Sequence, residues 1–496
     1  MQSTINLISV AARRLFLRLH QAGVFGLLLF ASLMMPSLLW GVQKEEEPKK
    51  PLMKEFIGIN GHFTFKPELY GQLCRMVRNY HNVNWDVKKP GNPITIPVCA
   101  NYVNWETDLY GPWKRAGFET DISVQFSGFE PPTPNYHTYW AGQETWTFEY
   151  GKALAGYFGP SGHNKLCTSI EIGNEPGSRF QADSFKTLFV QMASGIRAGD
   201  PLVKIVTPAV QARNGDDYAQ DLRILYADTQ LLPLYDVINL HTYATIERTR
   251  PNESPWNRTF PEDTTVAYMK VVDEAIEWRN RFAPGKEIWI TEFGYDACTP
   301  EAMEKRKDWS LKLDWQGNTD RQQAQYLVRS LLAFAKRDVE RAYLFFYNDN
   351  DEPGVHASSG LTRHFTPKMS FWAVKQLYTL LGEYRFSKSI SANQAEILSD
   401  NASQQPIAIS EFTHGSQPDK KIWVAWSPTG SQTHRKTEHH PRQARVILSQ
   451  LPGNPVKLEA MATKSVSVSP TDWRVVSDKK IELTVTESPV YILFGE

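Results

Sequence analysis

The chain is poor in cysteine. Its 496 residues include only Cys74, Cys99, Cys167 and Cys298, and no two of these form a Cys-x-x-Cys pair. This spacing argues against a structural metal site and against a disulfide-dense scaffold. We expect buried free thiols, while one or two disulfides would also fit an exported protein. We predict neither a metal nor another cofactor.

The chain also lacks an excess of charge of either sign. Lysine plus arginine and aspartate plus glutamate both total 54, so the composition does not predict nucleic acid or another polyanion as a partner. Aromatic residues are abundant instead, at 12% of the chain with 15 tryptophans. That content fits a large core, and it also fits a carbohydrate-binding cleft in which flat rings stack on sugar faces.

A long uncharged apolar run lies near the N-terminus, at residues 22–42. Three arginines precede this run, and the charged segment 44–51 follows it. Positive charge before an apolar run predicts export of the remainder of the chain. The run is also long enough to span a bilayer, so a cleaved signal peptide and an uncleaved membrane tether both fit. We assign residues 1–42 to this signal segment and residues 43–54 to a linker.

Short apolar runs alternate with amphipathic stretches between residues 55 and 384. The eight strand candidates are Phe56–Asn60, Met76–Tyr80, Asp121–Phe126, Ser169–Ile172, Ile205–Pro208, Val237–Leu240, Ile288–Ile290 and Ala342–Phe346. Helical periodicity is clear at Phe185–Ala198, Val266–Phe282, Ala324–Lys336 and Phe371–Leu381. Near-continuous apolar strands separated by helices indicate a parallel sheet covered by helices. No glycine-rich phosphate loop follows the first strand, which disfavours an open doubly wound sheet, so we predict an α/β fold, a (β/α)8 TIM barrel.

The pattern changes after residue 384. Short alternating runs separated by turn residues replace the helical periodicity, at Ile407–Ser410, Lys421–Trp426, Ile481–Val485 and Val490–Leu493. Such runs are typical of antiparallel strands. We predict a small β-sandwich-like domain at residues 385–496.

Two of the barrel strands lead into a carboxylate. The fourth candidate strand is followed by Glu175 and the seventh by Glu292. In a parallel barrel both would reach the same face, where the active sites of such barrels lie. Glycosidic bond cleavage requires two carboxylates, one as proton donor and the other as nucleophile or base. A separation of about 5 Å would predict retention of configuration, and about 6.5–9.5 Å would predict inversion.

The segments around these carboxylates resemble motifs of a known clan of enzymes. They are Glu171-Ile172-Gly173-Asn174-Glu175-Pro176 and Trp289-Ile290-Thr291-Glu292-Phe293-Gly294. They resemble clan A of the glycoside hydrolases, which are retaining (β/α)8 enzymes, and are most similar to family 39-like members. The segment 488–491 is similar to the last strand of the C-terminal β-domain that such members often carry. The resemblance implies that Glu175 is the acid/base and Glu292 the nucleophile.

The resemblance also implies roles for residues near this pair. Asn174 would hydrogen-bond the 2-hydroxyl of the sugar, and Arg78 would keep the nucleophile ionised. A structural ion pair explains Arg78 equally well. His241 and Tyr243 match a His-x-Tyr pattern after strand six, in which the tyrosine contacts the nucleophile.

The chain departs from the clan pattern after the eighth strand, where many members place a tryptophan beneath the sugar. Phe345, Phe346 and Tyr347 occupy this region, so Tyr347 or Phe346 is the candidate for that place. Trp140 lies near another strand-end loop and is a candidate for an outer subsite, although core packing explains it at least as well.

The predicted function is therefore that of an exported retaining glycoside hydrolase acting on β-linked poly- or oligosaccharides. A transglycosylase is one alternative, because a sugar hydroxyl can replace water in resolving the same covalent intermediate. A non-catalytic glycan-binding protein on a barrel scaffold is another. The presence of both carboxylates with Asn174 argues against the second alternative.

Overall fold

The chain divides into two units, residues 1–49 and residues 50–496. The computed structural model describes residues 50–96, 103–126, 140–176, 182–211, 226–246, 257–305, 315–401, 406–432, 440–466, 469–470 and 472–495. The predicted signal segment at residues 1–42 lies outside these ranges. Within them, no helix has both the length and the apolar character needed to cross a membrane.

Eight parallel strands close into a barrel. They are β1 (Ile57–Gly61), β2 (Met76–Asn82), β3 (Glu119–Gln125), β4 (Ser169–Ile172), β5 (Lys204–Val206), β6 (Val237–His241), β7 (Glu287–Phe293) and β8 (Arg341–Leu344). Each strand pairs with the next, and β8 pairs with β1 to complete the ring. The pairing of β5 with β6 is short, at Val206 and Val237, and the two-residue strand Val210–Gln211 then pairs with the end of β6. The predicted (β/α)8 barrel is confirmed.

The barrel strands are rich in apolar residues because both faces of a parallel sheet are buried. In β4 and β6 every residue is buried. In the part of the barrel that the structure describes, five long helices accompany the strands: α1 (Glu144–Phe158), α2 (Ala182–Gly199), α3 (Tyr268–Phe282), α4 (Asp320–Ala335) and α5 (Met369–Leu381). Shorter helices lie at Met53–Phe56, Pro67–Tyr70, Tyr110–Arg115 and Pro300–Glu304, with a π-helix at Trp105–Leu109 and 3-10 turns at Val83–Trp85, Leu232–Leu234 and Ala392–Gln394.

The start of α4 shows how local sequence sets a helix boundary. The Thr319 hydroxyl accepts a hydrogen bond from the Gln322 amide, and the Gln322 side chain accepts one from the Thr319 amide. This reciprocal capping box satisfies two backbone donors that the first helical turn leaves without partners. Each of the four predicted helices corresponds to one of the helices α2 to α5.

The described residues of the C-terminal domain form nine strands. They are β9 (Tyr384–Ser389), β10 (Ala395–Asp400), β11 (Ala408–His414), β12 (Lys421–Trp426), β13 (Gln443–Ser449), β14 (Pro455–Ala460), β15 (Arg474–Ser477), β16 (Lys480–Thr486) and β17 (Val490–Phe494). They form two antiparallel sheets, ordered β9-β11-β12-β17-β14 and β10-β13-β16-β15, with an apolar core of their own. The predicted β-domain is therefore confirmed. A further small sheet, at Asn348–Asp349, Thr362–Arg363 and Thr366–Pro367, follows β8.

A buried arginine of α4 joins the barrel to the C-terminal domain. Arg329 is fully buried and donates hydrogen bonds to the carbonyl oxygens of Pro428 and Thr429 at 3.1 and 3.0 Å. Its guanidinium also pairs with Glu262, which accepts a hydrogen bond from the Trp426 indole at 2.7 Å. Each charged group thus has a partner where it is removed from water.

The first residues of the second unit pack against the rest of that unit. Met53 and Phe56 are fully buried, and the Lys54 amide donates to the Gly382 carbonyl at 3.1 Å. The last residues of the predicted linker therefore belong to the folded unit. Cys74, Cys167 and Cys298 are free, buried thiols, whereas Cys99 lies outside the described residues.

Candidate active site

The turn after β4 presents the first carboxylate. Gly173 has φ +94°, and a Cβ at this position would lie 3.3 Å from the Phe126 ring, so glycine suits both the backbone and the space. Glu175 itself has φ +41°, a region in which residues other than glycine are uncommon and which recurs at functional sites. The Glu175 side chain is 33% exposed, and its Oε1 lies 2.7 Å from His241 Nδ1.

The second carboxylate lies at the end of β7. Glu292 is the penultimate residue of this strand, and its side chain is only 7% exposed. Gly294 directly follows β7, and Phe345 directly follows the neighbouring strand β8. A Cβ at Gly294 would lie 2.2 Å from the Phe345 carbonyl oxygen. The glycine of this motif is thus required by the close approach of two backbones.

Three donors surround the Glu292 carboxylate. Arg78 Nη1 donates to Oε1 at 2.8 Å, the Tyr80 hydroxyl also donates to Oε1, and the Tyr243 hydroxyl donates to Oε2 at 3.0 Å. Burial, and then the charge of Glu292, raise the pKa of both phenols, so both keep their protons at neutral pH. One cation and two neutral donors therefore stabilise a negative charge on Glu292.

The two carboxylates lie close together. His241 Nδ1 is 2.7 Å from Glu175 Oε1 and 3.6 Å from Glu292 Oε2, and one ligand-type atom of each of these three residues lies within 4.8 Å of the others. Such a trio has the chemistry of a metal site. However, His241 Nδ1 already lies 2.7 Å from Glu175 Oε1, and the Arg78 guanidinium beside Glu292 opposes the approach of a second cation.

Arg78 contacts both the motif that contains Glu175 and the motif that contains Glu292. Its side chain is fully buried, and Nε and Nη2 bind the two oxygens of Glu171 at 2.7 and 2.8 Å. Nη1 also donates to Asn60 Oδ1, and Nη2 donates to Asn174 Oδ1, both at 2.8 Å. Arg78 therefore forms a buried ion pair with Glu171 and also contacts Glu292, and its role in keeping a nucleophile ionised stays a prediction.

A further buried acid lies beside this arginine. Asp121 accepts a hydrogen bond from the Ser169 hydroxyl at 2.6 Å, but its Oδ2 is 3.9 Å from Arg78 Nε, whose hydrogen bond goes to Glu171 instead. Burial, followed by the charge of Glu171, raises the pKa of Asp121 to about 7. Because the folded protein binds this proton more tightly than the unfolded chain, whose aspartates titrate near about 3.9, the free energy of unfolding decreases as pH rises from about 4 to about 7.

We expect Asp121→Asn to remove this pH dependence. The amide keeps an acceptor for Ser169 and carries no charge, so the melting temperature of the variant should rise relative to wild type as the pH is raised from 4 to 8. Thermal unfolding of both proteins at several pH values measures this effect. A difference in melting temperature that stays constant across the interval would contradict it.

Tyr347 and Trp140 lie in packed surroundings. Tyr347 is 4% exposed, shares a hydrogen bond with the Thr64 hydroxyl, and packs edge-on to Tyr70 with ring centroids 5.6 Å apart. Trp140 is 2% exposed and packs edge-on to Phe126 at 4.9 Å. The observed contacts of both residues are those of packed core aromatics.

His356, in the loop after β8, was not predicted from the sequence. Its ring contacts Tyr243 and Phe345, with centroid distances of 4.7 and 5.3 Å. Burial lowers its pKa, so the imidazole is uncharged near neutral pH. Its position in a long loop carries no periodic signal from which sequence reasoning could have found it.

Tyr80 was also missed, although a signal was present. It lies two residues after Arg78 in β2, and alternate residues of a strand share a face.

We expect Tyr80→Phe to lower kcat/KM for glycosides by about tenfold or more, because Glu292 loses a donor to its charged form. Steady-state kinetics measure the effect, and Tyr268→Phe, which loses a buried hydroxyl bonded to Ser330, is the matched control. Equal kcat/KM values for Tyr80→Phe and wild type would exclude this role.

The protein has the fold of a (β/α)8 barrel with an appended β-domain, and two carboxylates lie close together at the ends of its strands. No protein-family model matches the sequence, and no curated protein does. Solved structures do match. The fold is similar to that of a family 39 glycoside hydrolase from the gut symbiont Bacteroides cellulosilyticus WH2, with a TM-score of 0.60 and 15% identity, covering 90% of this chain and 81% of that one.

Other solved structures show the same likeness. A GH51 arabinofuranosidase from Xanthomonas axonopodis pv. citri matches with a TM-score of 0.57 and 12% identity, over 90% of this chain and 98% of that one. A monomeric beta-xylosidase from Caulobacter crescentus CB15 matches with a TM-score of 0.54 and 16% identity, over 90% and 97%. The resemblance to clan A glycoside hydrolases is thus confirmed at the level of the fold.

Proposed function

We propose that this protein is an exported retaining glycoside hydrolase that cleaves β-glycosidic bonds of a poly- or oligosaccharide, with Glu292 as nucleophile and Glu175 as acid/base. The observation that carries the proposal is the distance of at most 4.8 Å between an oxygen of each carboxylate. That distance is close to the separation of about 5–5.5 Å between the carboxyl groups of retaining enzymes and shorter than the roughly 6.5–9.5 Å of inverting ones, so it supports retention.

The surroundings of the two acids support this division of roles. Glu292 is buried among three donors, one of them a cation, as suits an ionised nucleophile. Glu175 is more exposed, and an imidazole nitrogen lies 2.7 Å from its Oε1. A carboxyl group that must exchange a proton, first with the leaving sugar and then with water, requires access of this kind.

The proposed reaction has two steps. In the first, a Glu292 oxygen forms a bond to the anomeric carbon while Glu175 gives its proton to the glycosidic oxygen, and the bond to the leaving sugar breaks. In the second, the Glu175 carboxylate takes a proton from water, whose oxygen attacks the anomeric carbon and releases Glu292. Both residues then return to their original protonation states.

Asn174 fits the role of contacting the sugar. Its Oδ1 accepts a hydrogen bond from Arg78 Nη2, which leaves the amide NH2 group available as a donor. A donor beside the acid/base suits the 2-hydroxyl, whose hydrogen bond strengthens as positive charge develops at the anomeric centre. Arg78 thus orients both the nucleophile and the amide.

The proposal is tested with the folded unit, residues 50–496, and a panel of β-linked polysaccharides and aryl glycosides. Product analysis identifies the sugar and linkage, and proton NMR during turnover gives the configuration of the first product. We expect a β-configured product. A product of inverted configuration would overturn the mechanism, and no turnover across the panel would favour a glycan-binding protein. Products longer than the substrate would identify a transglycosylase.

Export belongs to the proposal because of the arginines and the apolar run of residues 1–42. Expression of the full chain, followed by fractionation and N-terminal sequencing, tests it. A soluble exported product that begins after residue 42 would indicate a cleaved signal, and a membrane-bound product with an intact N-terminus would indicate a tether. Retention in the cytoplasm would contradict export.

A further inference from the structure

A chain of three buried polar side chains runs behind Glu175. His241 Nδ1 lies 2.7 Å from Glu175 Oε1, and its Nε2 lies 3.0 Å from the Thr291 hydroxyl. That hydroxyl donates to Asn239 Oδ1 at 2.6 Å. Asn239, His241 and Thr291 are each no more than 2% exposed, so water is a poor substitute for any of these partners.

The strand geometry brings the three together. Asn239 and His241 alternate along β6 and therefore share a face, and β7, which carries Thr291, pairs alongside. The backbone amide of Asn239 donates to the Thr207 hydroxyl at 3.0 Å, which fixes Asn239 from the neighbouring segment after β5. The three side chains thus come from two neighbouring strands, β6 and β7, and Thr207 after β5 supports Asn239.

We propose that Thr291 and Asn239 are positioning residues that fix the proton of His241 on Nε2 and thereby keep the catalytic proton at Glu175. This inference rests on the proposed function. The Thr291 hydroxyl has one proton, which it donates to Asn239, so towards His241 its oxygen accepts. Nε2 must then carry a proton, and Nδ1 is left to share the single proton that lies between it and Glu175 Oε1.

The position of the His241 proton determines whether Glu175 can act as an acid. With Nε2 protonated and Nδ1 facing Glu175, the pair holds one transferable proton, which Glu175 gives to the glycosidic oxygen. Without the acceptor at Thr291, a proton on Nε2 would be buried without a partner, at the cost of an unsatisfied donor. The imidazole would then place its proton on Nδ1 and donate it to an ionised Glu175, which stabilises the form that cannot act as an acid.

Other charged and titratable groups also face this pair, and all of them are retained in the variants below. They are Glu292 from β7, Arg78 and Tyr80 from β2, Tyr243 after β6, and His356 from the loop after β8. Arg258 lies over the Tyr243 ring. Because their contribution is common to wild type and variants, a difference in pH dependence reports on the removed hydroxyl.

The test compares Thr291→Val with Thr291→Ser. We expect Thr291→Val to move the basic limb of the kcat/KM profile to lower pH by about one unit, the size of one hydrogen bond, and to slow glycosides with poor leaving groups more than activated aryl glycosides. Thr291→Ser keeps a hydroxyl at this position and should show the wild-type profile. Asn239→Ala should shift the limb in the same direction, because the Thr291 proton can then turn towards Nε2.

Thr242→Val is the matched control, since Thr242 adjoins His241 but its buried hydroxyl donates to the Tyr268 carbonyl at 3.0 Å. It should leave the basic limb in place. An unchanged limb in Thr291→Val, an equal shift in Thr242→Val, or a shift to higher pH would each overturn the inference. A shift to higher pH would mean that Asn239 presents its NH2 group to Thr291.

A second measurement does not depend on activity. Nitrogen-15 NMR of histidine-labelled protein, with the His241 signals assigned by their loss in His241→Asn, reports which ring nitrogen carries the proton. We expect Nε2 to be protonated in wild type and the proton to move to Nδ1 in Thr291→Val. An unprotonated Nε2 in wild type would overturn the inference. A protein with the expected tautomer but no turnover of any glycoside would instead contradict the proposed function alone.

Discussion

Glu292→Gln is expected to lower kcat on every glycoside substrate by about 10⁴–10⁶-fold, the scale of losing a nucleophile. The amide has nearly the shape of the carboxylate but cannot form the glycosyl–enzyme ester. Its NH2 group would also face a donor, either the Tyr243 hydroxyl at the Oε2 position or Arg78 and Tyr80 at the Oε1 position. Initial rates on an aryl glycoside measure the loss.

Two controls make this result specific. Glu287→Gln changes a glutamate at the opposite end of β7, where it pairs with Lys204, and should keep wild-type activity. Circular dichroism and thermal unfolding establish whether Glu292→Gln is folded. Mass spectrometry of wild type treated with a 2-deoxy-2-fluoro glycoside should locate the label on Glu292. Turnover by Glu292→Gln close to that of wild type would refute its assignment as nucleophile.

Glu175→Ala should have an effect that depends on the leaving group. For a glycoside with a poor leaving group we expect a loss of about 10²–10⁴-fold, the contribution of a general acid. For an activated aryl glycoside the first step needs little protonation, so the glycosyl–enzyme should form and then persist because no base activates water. Steady-state and burst kinetics on both substrates separate these two effects.

Azide provides the second half of this experiment. It is a nucleophile that needs no general base, and it fits in the space left by the Glu175 side chain. We expect azide to restore turnover of the activated substrate by Glu175→Ala and to produce a glycosyl azide of β configuration. An absence of rescue, or an α-configured azide, would show that Glu175 is not the acid/base of a retaining mechanism.

Much of the barrel was predictable because its strands are short, buried on both faces and separated by amphipathic helices. The fourth strand was predicted at Ser169–Ile172 with the bounds that the structure has. The third and eighth strands were displaced by one or two residues at their ends, and the seventh extends through Glu292 to Phe293. These differences arise because hydrogen bonding to neighbouring strands, rather than apolarity, decides where a strand ends.

The C-terminal domain was less predictable for a related reason. Ala395–Asp400 and Arg474–Ser477 form the two edges of a four-stranded sheet and are largely exposed. Such edge strands lack the alternation of apolar and polar residues that identifies a half-buried strand. Lys421–Trp426, an inner strand of the other sheet, was predicted with its observed bounds.

By itself, the sequence determined the α/β barrel, the β-domain and the two strand ends that carry Glu175 and Glu292, because period and composition are local properties of the chain. Only the tertiary structure decided the distance between these carboxylates, the donors around Glu292, and the Asn239–Thr291–His241 chain behind Glu175. Those contacts join residues that are distant in sequence, and strand register and barrel closure bring them together. The same closure placed Tyr347 and Trp140 among packed aromatic rings.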